Sequence, residues 1–262
     1  MKRVLVTGVA RGIGRSIAET FLKKGYVLYG TFNSSKEKAE ELIAIYGSDH
    51  VKLFGPYDFT DLAQVNLMIS DLSDCKFDSI VCSAGMFSEN DDFNDFDVNV
   101  FNKTMHCNFY APMMICIGLK DAIFENGSIV LMSSNDAYPG AYSSIAYSVS
   151  KAAVISLMKC LCVNFGNKRI RVNSIAPGAI NTDMNTEEQM NIAPYFTPIS
   201  RVGQPNDVAK VVYFLASDES SFINGENITI DGGYSIESVL LKSEADSNLS
   251  VLLQNFIKTT QK

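Results

Sequence analysis

The sequence has few basic and few metal-binding side chains. Lys and Arg total 22 against 29 Asp and Glu, giving a net charge of −7. Nucleic acid and anionic membranes require a basic surface, so neither is an expected partner. The two histidines, His50 and His106, lie near no ligand cluster, and the six cysteines include no Cys-x-x-Cys pair. We therefore expect no metal site.

Long apolar runs are also scarce. The N-terminal run at 4–6 is too short for a signal peptide, and the longest apolar candidate, 111–119, is too short to span a membrane. We expect a reduced, soluble, cytoplasmic protein. With 47% apolar and 19% charged residues among 262, disorder, collagen and coiled coil are excluded, and one large α/β domain or two small ones fit the length.

Short runs rich in Val and Ile alternate with longer segments of helical periodicity, which is typical of repeated βα units. Strands are predicted near 2–7, 26–31, 51–54, 78–82, 127–132, 170–175 and 227–230. Helices are predicted near 12–24, 36–46, 61–72, 96–119, 145–166 and 205–217. Connections of this length predict one doubly wound α/β domain, with about seven parallel strands and helices on both faces.

We expect this domain to end near Tyr234 and residues 235–262 to form a C-terminal extension. A polar stretch at 242–248 precedes the amphipathic run Leu249–Ile257, which has the apolar positions of one helix face. A helix docked on its own domain or on a sister subunit is favoured over a helix that binds another partner.

A glycine-rich turn follows the first predicted strand, where residues 7–14 read Thr-Gly-Val-Ala-Arg-Gly-Ile-Gly. Glycines let a backbone approach a pyrophosphate closely, and the N-terminus of the next helix offers free N–H groups and a positive dipole end. Any tight turn favours glycine, so the spacing alone is weak. Its place between the first strand and first helix favours a dinucleotide site.

Tyr147 and Lys151 are four residues apart in a predicted helix, so their side chains lie on the same face. A cation that favours the phenolate lowers the pKa of a tyrosine from about 10, which would make this pair an acid/base group. The simpler interpretation is an ordinary solvated helix surface. Ser134 at the end of a strand, thirteen residues before Tyr147, makes the combination much rarer.

Together these motifs resemble the short-chain dehydrogenase/reductase family from Val4 to about Tyr234, most of all its bacterial 3-oxoacyl-(acyl carrier protein) reductases. The resemblance implies a Rossmann domain that transfers a hydride between a nicotinamide and a carbonyl or secondary alcohol. Tyr147 would give its proton to the carbonyl oxygen and Ser134 would hydrogen-bond that oxygen. Lys151 would lower the pKa of the tyrosine and hold the nicotinamide ribose, and Asn108 would support a water-linked proton path to Lys151.

The same resemblance implies the residues that bind the cofactor. They are Gly8, Arg11, Gly12, Ile13, Gly14, Asn33, Ser34, Asp58, Ser83, Ala84, Gly85, Tyr147, Lys151, Pro177, Gly178, Ile180 and Thr182. Cys82 and Ser83 depart from the family's Asn-Asn-Ala-Gly, and we take Ser83 as a shorter polar substitute. Asp58 resembles the family's adenine-contacting acid, with a helix cap as an equal alternative, whereas Asp61 is the better candidate for a cap.

The end of the second predicted strand bears on the choice between NAD(H) and NADP(H). An enzyme that prefers NAD places an acid there to bind the adenosine 2′-hydroxyl, and here that position is Phe32. Arg11, Asn33 and Ser34 offer contacts to a 2′-phosphate. NADP(H) is the predicted cofactor, with NAD(H) as the alternative.

Residues 184–201 lie where the family has a mobile substrate lid. Candidates to line the substrate pocket, with loop packing as an equal alternative, are Met86, Phe87, Asn135, Asp136, Tyr138, Tyr142 and Tyr195. The family resemblance, together with the long apolar helical segments 96–119 and 145–166, predicts a homotetramer, with a homodimer as the alternative. Two alternative functions are an enzyme that acts on a nucleotide-linked sugar and a non-catalytic Rossmann protein. The first usually has a larger C-terminal domain than the tail after Tyr234 can supply. The second would be expected to lose part of the catalytic set, whereas all four positions are filled here.

Overall fold

A computed structural model describes residues 1–88, 93–142, 144–246 and 248–251 of the chain. Its strands form one seven-stranded sheet in the order β3-β2-β1-β4-β5-β6-β7, and every neighbouring pair is parallel. The strands are β1 Arg3–Val6, β2 Val27–Thr31, β3 Val51–Phe54, β4 Phe77–Cys82, β5 Ile123–Met132, β6 Arg171–Pro177 and β7 Asn227–Ile230. The predicted doubly wound α/β class is confirmed.

Helices cover both faces of this sheet. They are α1 Gly12–Lys23, α2 Lys36–Tyr46, α3 Leu62–Leu72, α4 Val98–Met105, α5 Ala111–Gly118, α6 Ile145–Phe165, α7 Glu187–Ile192, α8 Pro205–Ala216 and α9 Val239–Ala245. Buried side chains of α1, α2 and α8 form one core cluster, and those of α3, α5 and α6 form the other. Each parallel strand is therefore buried on both sides, as continuous apolar runs predict.

Side chains along the central strands point alternately to the two faces of the sheet, which separates the two core clusters. Leu5 of β1 and Ile80 of β4 pack with α3, α5 and α6, whereas Val4, Val6 and Val81 pack with α1 and α8. All five are fully buried. Successive side chains of a strand point to opposite faces, so one apolar run supplies both cores.

The helix predicted over 96–119 is interrupted, which corrects the expectation of one continuous helix. It begins at Val98, and a wide π turn over His106–Tyr110 separates α4 from α5. Pro112 follows this turn. Proline has no N–H to donate to the carbonyl of Asn108 and its ring crowds that carbonyl, so regular α-helical hydrogen bonding fails there.

The expectation that 111–119 is the longest apolar candidate is wrong. The segment Ile145–Lys168, which contains α6, has the length and the mean hydropathy of 1.4 that a membrane-crossing helix needs. However, 44% of its apolar window is buried within the protein, and Val154 and Met158 belong to the core beside the sheet. A core helix meets the same two criteria, so the finding is weak support for a membrane span.

The C-terminal extension contains α9. The predicted amphipathic helix Leu249–Ile257 lies mostly outside the described residues, of which 251 is the last.

Candidate active site

A cleft of about 1100 Å³ opens at the carboxyl ends of the strands. It lies where the chain order reverses, because β1 has β2 on one side and β4 on the other. The loops that follow β1 and β4 diverge at such a point, which leaves space for a ligand in a parallel sheet. The cleft is lined from the ends of β1, β2, β4, β5 and β6 and from the segment 182–196.

The glycine turn requires residues without side chains. Gly8 and Gly12 have φ values of +76° and +57°, in the region that favours glycine. A Cβ on Gly14 would lie 2.1 Å from the carbonyl oxygen of Gly8. The N–H groups of Gly8 and Val9 each donate to the Thr31 carbonyl at 3.0 Å. The turn is thereby fixed against β2, and the N-terminus of α1 faces the cleft.

Thr7 has a positioning role that the sequence analysis missed. Its buried hydroxyl accepts hydrogen bonds from the backbone N–H groups of Ser83 and Ala84, both at 3.0 Å. These bonds join the turn after β1 to the loop after β4, so the two walls of the cleft hold a fixed separation. A hydroxyl residue that ends the first strand, directly before the glycine turn, is the signal that could have identified it.

The residues at this end of the cleft fit a dinucleotide. Besides the glycine turn and the N-terminus of α1, the hydroxyl of Ser83 is buried with no hydrogen-bond partner among the described residues. Ser83 lines the cleft, and a buried polar atom in a native protein ordinarily has a partner. A bound cofactor is a suitable source of that partner.

All the cofactor-binding residues predicted from the sequence line this cleft. Phe32 also lines it, where an acid would favour NAD. The carboxylate of Asp58 accepts hydrogen bonds from the backbone N–H and the hydroxyl of Thr60, at 2.9 and 2.8 Å. Helix α3 is capped instead by Asp61, which accepts from the Ala63 N–H at 2.9 Å. The helix-cap alternative for Asp58 is therefore wrong.

Arg11 lies at the start of α1 with an exposed side chain. Its guanidinium Nη1 is 3.6 Å from a carboxylate oxygen of Asp183, which follows Thr182 on the opposite wall. Both side chains are more than half exposed, so the pair contributes little to stability. The guanidinium is thus held at the mouth of the cleft.

Ser134, Tyr147 and Lys151 meet at the inner end of the cleft. Tyr147 is hydrogen-bonded to Ser134, and the Lys151 ammonium lies 5.4 Å from the centre of the Tyr147 ring. Lys151 donates to the Met132 carbonyl at 3.0 Å. The ring of Phe87 packs edge-on against Tyr147, with centres 5.3 Å apart. A phenol, a hydroxyl and an ammonium therefore surround one small volume.

The pKa of Tyr147 differs from the sequence expectation. Burial raises it to about 12, the hydrogen bond with Ser134 opposes that rise, and the charge of Asp136 adds to it. The prediction that Lys151 holds this pKa below its ordinary value is wrong for this structure, because desolvation of the phenolate is the largest effect. Burial also lowers the pKa of Lys151 to about 8.

Asn108 does not line the cleft but holds neighbouring elements in place. It lies in the π turn, and its side-chain oxygen accepts from the Met86 N–H at 2.8 Å. Its amide donates to the Met86 carbonyl at 2.9 Å and to the Ser150 hydroxyl at 3.1 Å. The wide turn thus brings a buried amide between the β4 loop and α6, and π turns occur frequently at functional sites.

The residues expected to line the substrate pocket divide into two groups. Met86, Phe87, Asn135 and Asp136 line the cleft. Tyr138, Tyr142 and Tyr195 do not, which corrects the expectation for these three. Tyr142 is 97% exposed, and the hydroxyl of Tyr138 is hydrogen-bonded to Thr229 and Asn227 on β7.

Tyr195 instead connects the expected lid to the C-terminal extension. Its hydroxyl donates to the carboxylate of Asp246 at 3.0 Å. Lys242 donates to the Tyr195 carbonyl, lies over the Tyr195 ring at 5.1 Å, and pairs with Glu237 at 2.9 Å. The segment expected to form a lid is therefore held at Tyr195 by α9 and its flanks.

Comparison with known proteins agrees with this geometry. Residues 8–235 match the family model described as enoyl-(acyl carrier protein) reductase. The chain is 34% identical over 251 residues to a versicolorin reductase of Emericella nidulans, covering 88% of this chain and 95% of the relative. It is 31% identical over 248 residues to an uncharacterised oxidoreductase of Bacillus subtilis, covering 88% and 90%.

A solved structure extends the agreement to three dimensions. A short chain dehydrogenase from Burkholderia cenocepacia in complex with NADP is similar with a TM-score of 0.83 and 30% identity, over 89% of this chain and 97% of that one. The present chain belongs to the short-chain dehydrogenase/reductase family. It is an NAD(P)-dependent oxidoreductase that transfers a hydride between a nicotinamide and a carbonyl or alcohol. The nucleotide-sugar and non-catalytic alternatives are not favoured.

The lowered pKa of Lys151 gives a prediction about stability. Unfolded chains keep this proton up to about pH 10.5, whereas the native pKa is about 8. Between these values the unfolded state binds more protons, so this group makes the free energy of unfolding rise with pH. Lys151→Met should remove that rise, at most about 1.4 kcal/mol per pH unit, in denaturant unfolding measured from pH 8 to 10.

Lys159→Met is the matched control, because it changes an exposed lysine of the same helix. It should keep the wild-type dependence on pH. If Lys151→Met also kept it, the native pKa of Lys151 would not be lowered.

Proposed function

We propose that this protein is an NADP(H)-dependent carbonyl reductase in which Tyr147 is the general acid. The observation that carries the proposal is the contact of Tyr147 with Ser134 at the inner end of the cleft, beside the ammonium of Lys151. When bound, the cofactor would supply the hydride. Placement of the substrate and delivery of the proton would be the work of this chain's own residues.

The raised pKa of Tyr147 suits reduction. With a pKa of about 12 the phenol keeps its proton at neutral pH. In our proposal it donates this proton to the carbonyl oxygen, while the hydroxyl of Ser134 binds the same oxygen. Lys151 remains mostly charged at pH 7, since its pKa is about 8, and the hydrogen bond with Ser134 is the interaction that favours the phenolate which proton transfer leaves.

Lys151 and Asn108 have further roles in the proposed reaction. The ammonium of Lys151 would also bind the nicotinamide ribose. Asn108 would act as a positioning residue for the β4 loop and α6, since its side chain is already hydrogen-bonded to Met86 and Ser150. The water-linked path from Asn108 to Lys151 stays a prediction.

Tyr147→Phe tests the general acid. Loss of one positioned proton donor should lower kcat with an activated aryl ketone by about 10²- to 10⁴-fold. The Kd of NADPH, measured by fluorescence titration, should change little. Tyr138→Phe removes a phenol outside the cleft and should retain wild-type turnover. Turnover by Tyr147→Phe near the wild-type rate would rule out the proposed role.

Residues after β2 and in the glycine turn favour NADP(H) over NAD(H). Phe32 is buried to 7% exposure where a carboxylate would repel a 2′-phosphate. Arg11, Asn33 and Ser34 line the same part of the cleft. A guanidinium and neutral hydrogen-bonding side chains suit a phosphate better than a bare hydroxyl. The NADP complex of the Burkholderia relative supports this choice.

Arg11→Ala should raise the Kd of NADPH about tenfold, which corresponds to about 1.4 kcal/mol of binding free energy. The Kd of NADH should change by less than about twofold. Calorimetric titration of each cofactor separately measures this difference. Arg169→Ala removes an exposed arginine that pairs with Glu125 away from the cleft, and it should alter neither Kd. Equal weakening of both cofactors by Arg11→Ala would contradict a phosphate contact.

We further propose a cytoplasmic homotetramer, with a homodimer as the alternative. All six cysteines are free thiols, which supports a reducing compartment. Apolar side chains remain exposed on α4, α5 and α6, with Val98 at 55%, Ile117 at 50% and Val163 at 76%. Such surfaces suit pairing across a two-fold axis.

Light scattering should therefore give a mass of about four times, or for the dimer about twice, the 28.8 kDa of one chain. Val163→Glu should lower the mass because it places a charge in the proposed interface. Ile45→Glu, at an exposed position of α2, should not. A monomeric mass for the wild-type protein at micromolar concentration would exclude the assembly.

A further inference from the structure

Asp136 lines the cleft but has no role in the proposed reaction. It lies two residues after Ser134, its backbone N–H donates to the Ser134 hydroxyl at 3.1 Å, and its side chain lines the cleft. The carboxylate is partly buried and makes no hydrogen bond or ion pair with the part of the chain that is described. Its charge reaches the reacting centre, since it raises the pKa of Tyr147.

A partly buried carboxylate without a partner is costly. Burial raises the pKa of Asp136, and no opposite charge counters this rise. Native proteins ordinarily satisfy such groups with a hydrogen-bond donor. Because the open side of Asp136 is the cleft, a bound molecule is the group best placed to supply the donor.

The charges along the cleft are unevenly distributed. Among the described lining residues, the cationic ones are Arg11 at the glycine turn and Lys151 beside Tyr147. Of the lining carboxylates, Asp58 and Asp183 lie among the predicted cofactor residues, where Asp183 pairs with Arg11, whereas Asp136 and the exposed Glu188 of α7 carry negative charge on the substrate side. A substrate carboxylate or phosphate placed beside Asp136 would meet a like charge, so a neutral or cationic group is favoured there.

The rest of the substrate side is largely apolar. The described lining residues there include Phe87, Met184, Met190, Ile192 and Phe196. Such walls suit an apolar or aromatic body, while one convergent polar group fixes orientation.

We propose that Asp136 is a specificity residue whose carboxylate accepts a hydrogen bond from a hydroxyl or ammonium group beside the reacting carbonyl of an otherwise apolar substrate. Hydroxy ketones and amino ketones are the substrate class. The inference rests on the proposed function, because it assigns the substrate of that same site. An acceptor that the bound ligand covers rejects the analogue that lacks the donor, since binding that analogue leaves the acceptor unpaired.

The test compares phenacyl alcohol with its methyl ether, which has the same carbonyl and ring but no donor. Binding of each ketone to the full-length protein saturated with NADP⁺ is measured by calorimetry, so that no turnover is needed. Wild-type protein should bind the alcohol about ten- to hundredfold more tightly, as expected for a hydrogen bond to a charged group.

Variants identify the residue responsible. Asp136→Leu should bring the two affinities within about twofold, and Asp136→Asn, which keeps a side-chain carbonyl oxygen and the shape of Asp, should retain part of the preference. Benzoylformate, an anionic ketone, should bind more tightly to Asp136→Asn than to wild type. Glu188→Gln removes another negative charge from the same cleft and should leave the ratio for the first pair unchanged.

The outcomes separate this inference from the proposed reductase activity. Equal binding of both ketones by wild type, binding of neither, or a preference that survives Asp136→Leu would overturn the role of Asp136. The expected preference without NADPH oxidation by either ketone would support that role and overturn the reductase activity.

Discussion

The site depends on a close backbone approach at the beginning of α1. Gly14 leaves no room for a side chain against the carbonyl of Gly8, so the first turn of α1 packs closely against the turn that follows β1. Its free N–H groups therefore reach the same sheet edge as the loops that follow the neighbouring strands. The hydroxyl of Thr7 then holds the β4 loop at Ser83 and Ala84. One close contact between two glycines thus brings α1 against the turn after β1, and one hydroxyl joins that turn to the loop after β4.

Helix α6 explains why the acid/base pair has unusual electrostatics. It is apolar enough to pack against the sheet, and at its N-terminal end it carries the buried Lys151 and the partly buried Tyr147 to the inner end of the cleft. Burial disfavours the charged form of each group, so it raises the pKa of the phenol and lowers that of the ammonium. At neutral pH the phenol is still protonated and the ammonium still mostly charged. Reduction of a carbonyl needs this combination at its start.

The sequence predicts the strands well because parallel strands buried on both faces appear as continuous apolar runs, such as 77–82. The π turn at His106–Tyr110 is not predictable from periodicity, since its residues continue the helical pattern up to Pro112. The raised pKa of Tyr147 cannot be predicted from the sequence for another reason. It depends on desolvation by groups distant in sequence, among them Phe87, which only the fold brings together. The contact of Lys242 with Tyr195 likewise joins residues 47 apart.

The distribution of charge in the cleft has consequences for both of its ligands. A dinucleotide is an anion, and the cations of the described lining, Arg11 and Lys151, lie along its expected path. Of the lining carboxylates, Asp136 lies beside Ser134 and Glu188 lies on α7, whereas Asp58 and Asp183 lie among the predicted cofactor residues. A substrate anion beside Asp136 would therefore meet a like charge, and a cofactor phosphate at Arg11 would compete with Asp183 for the guanidinium.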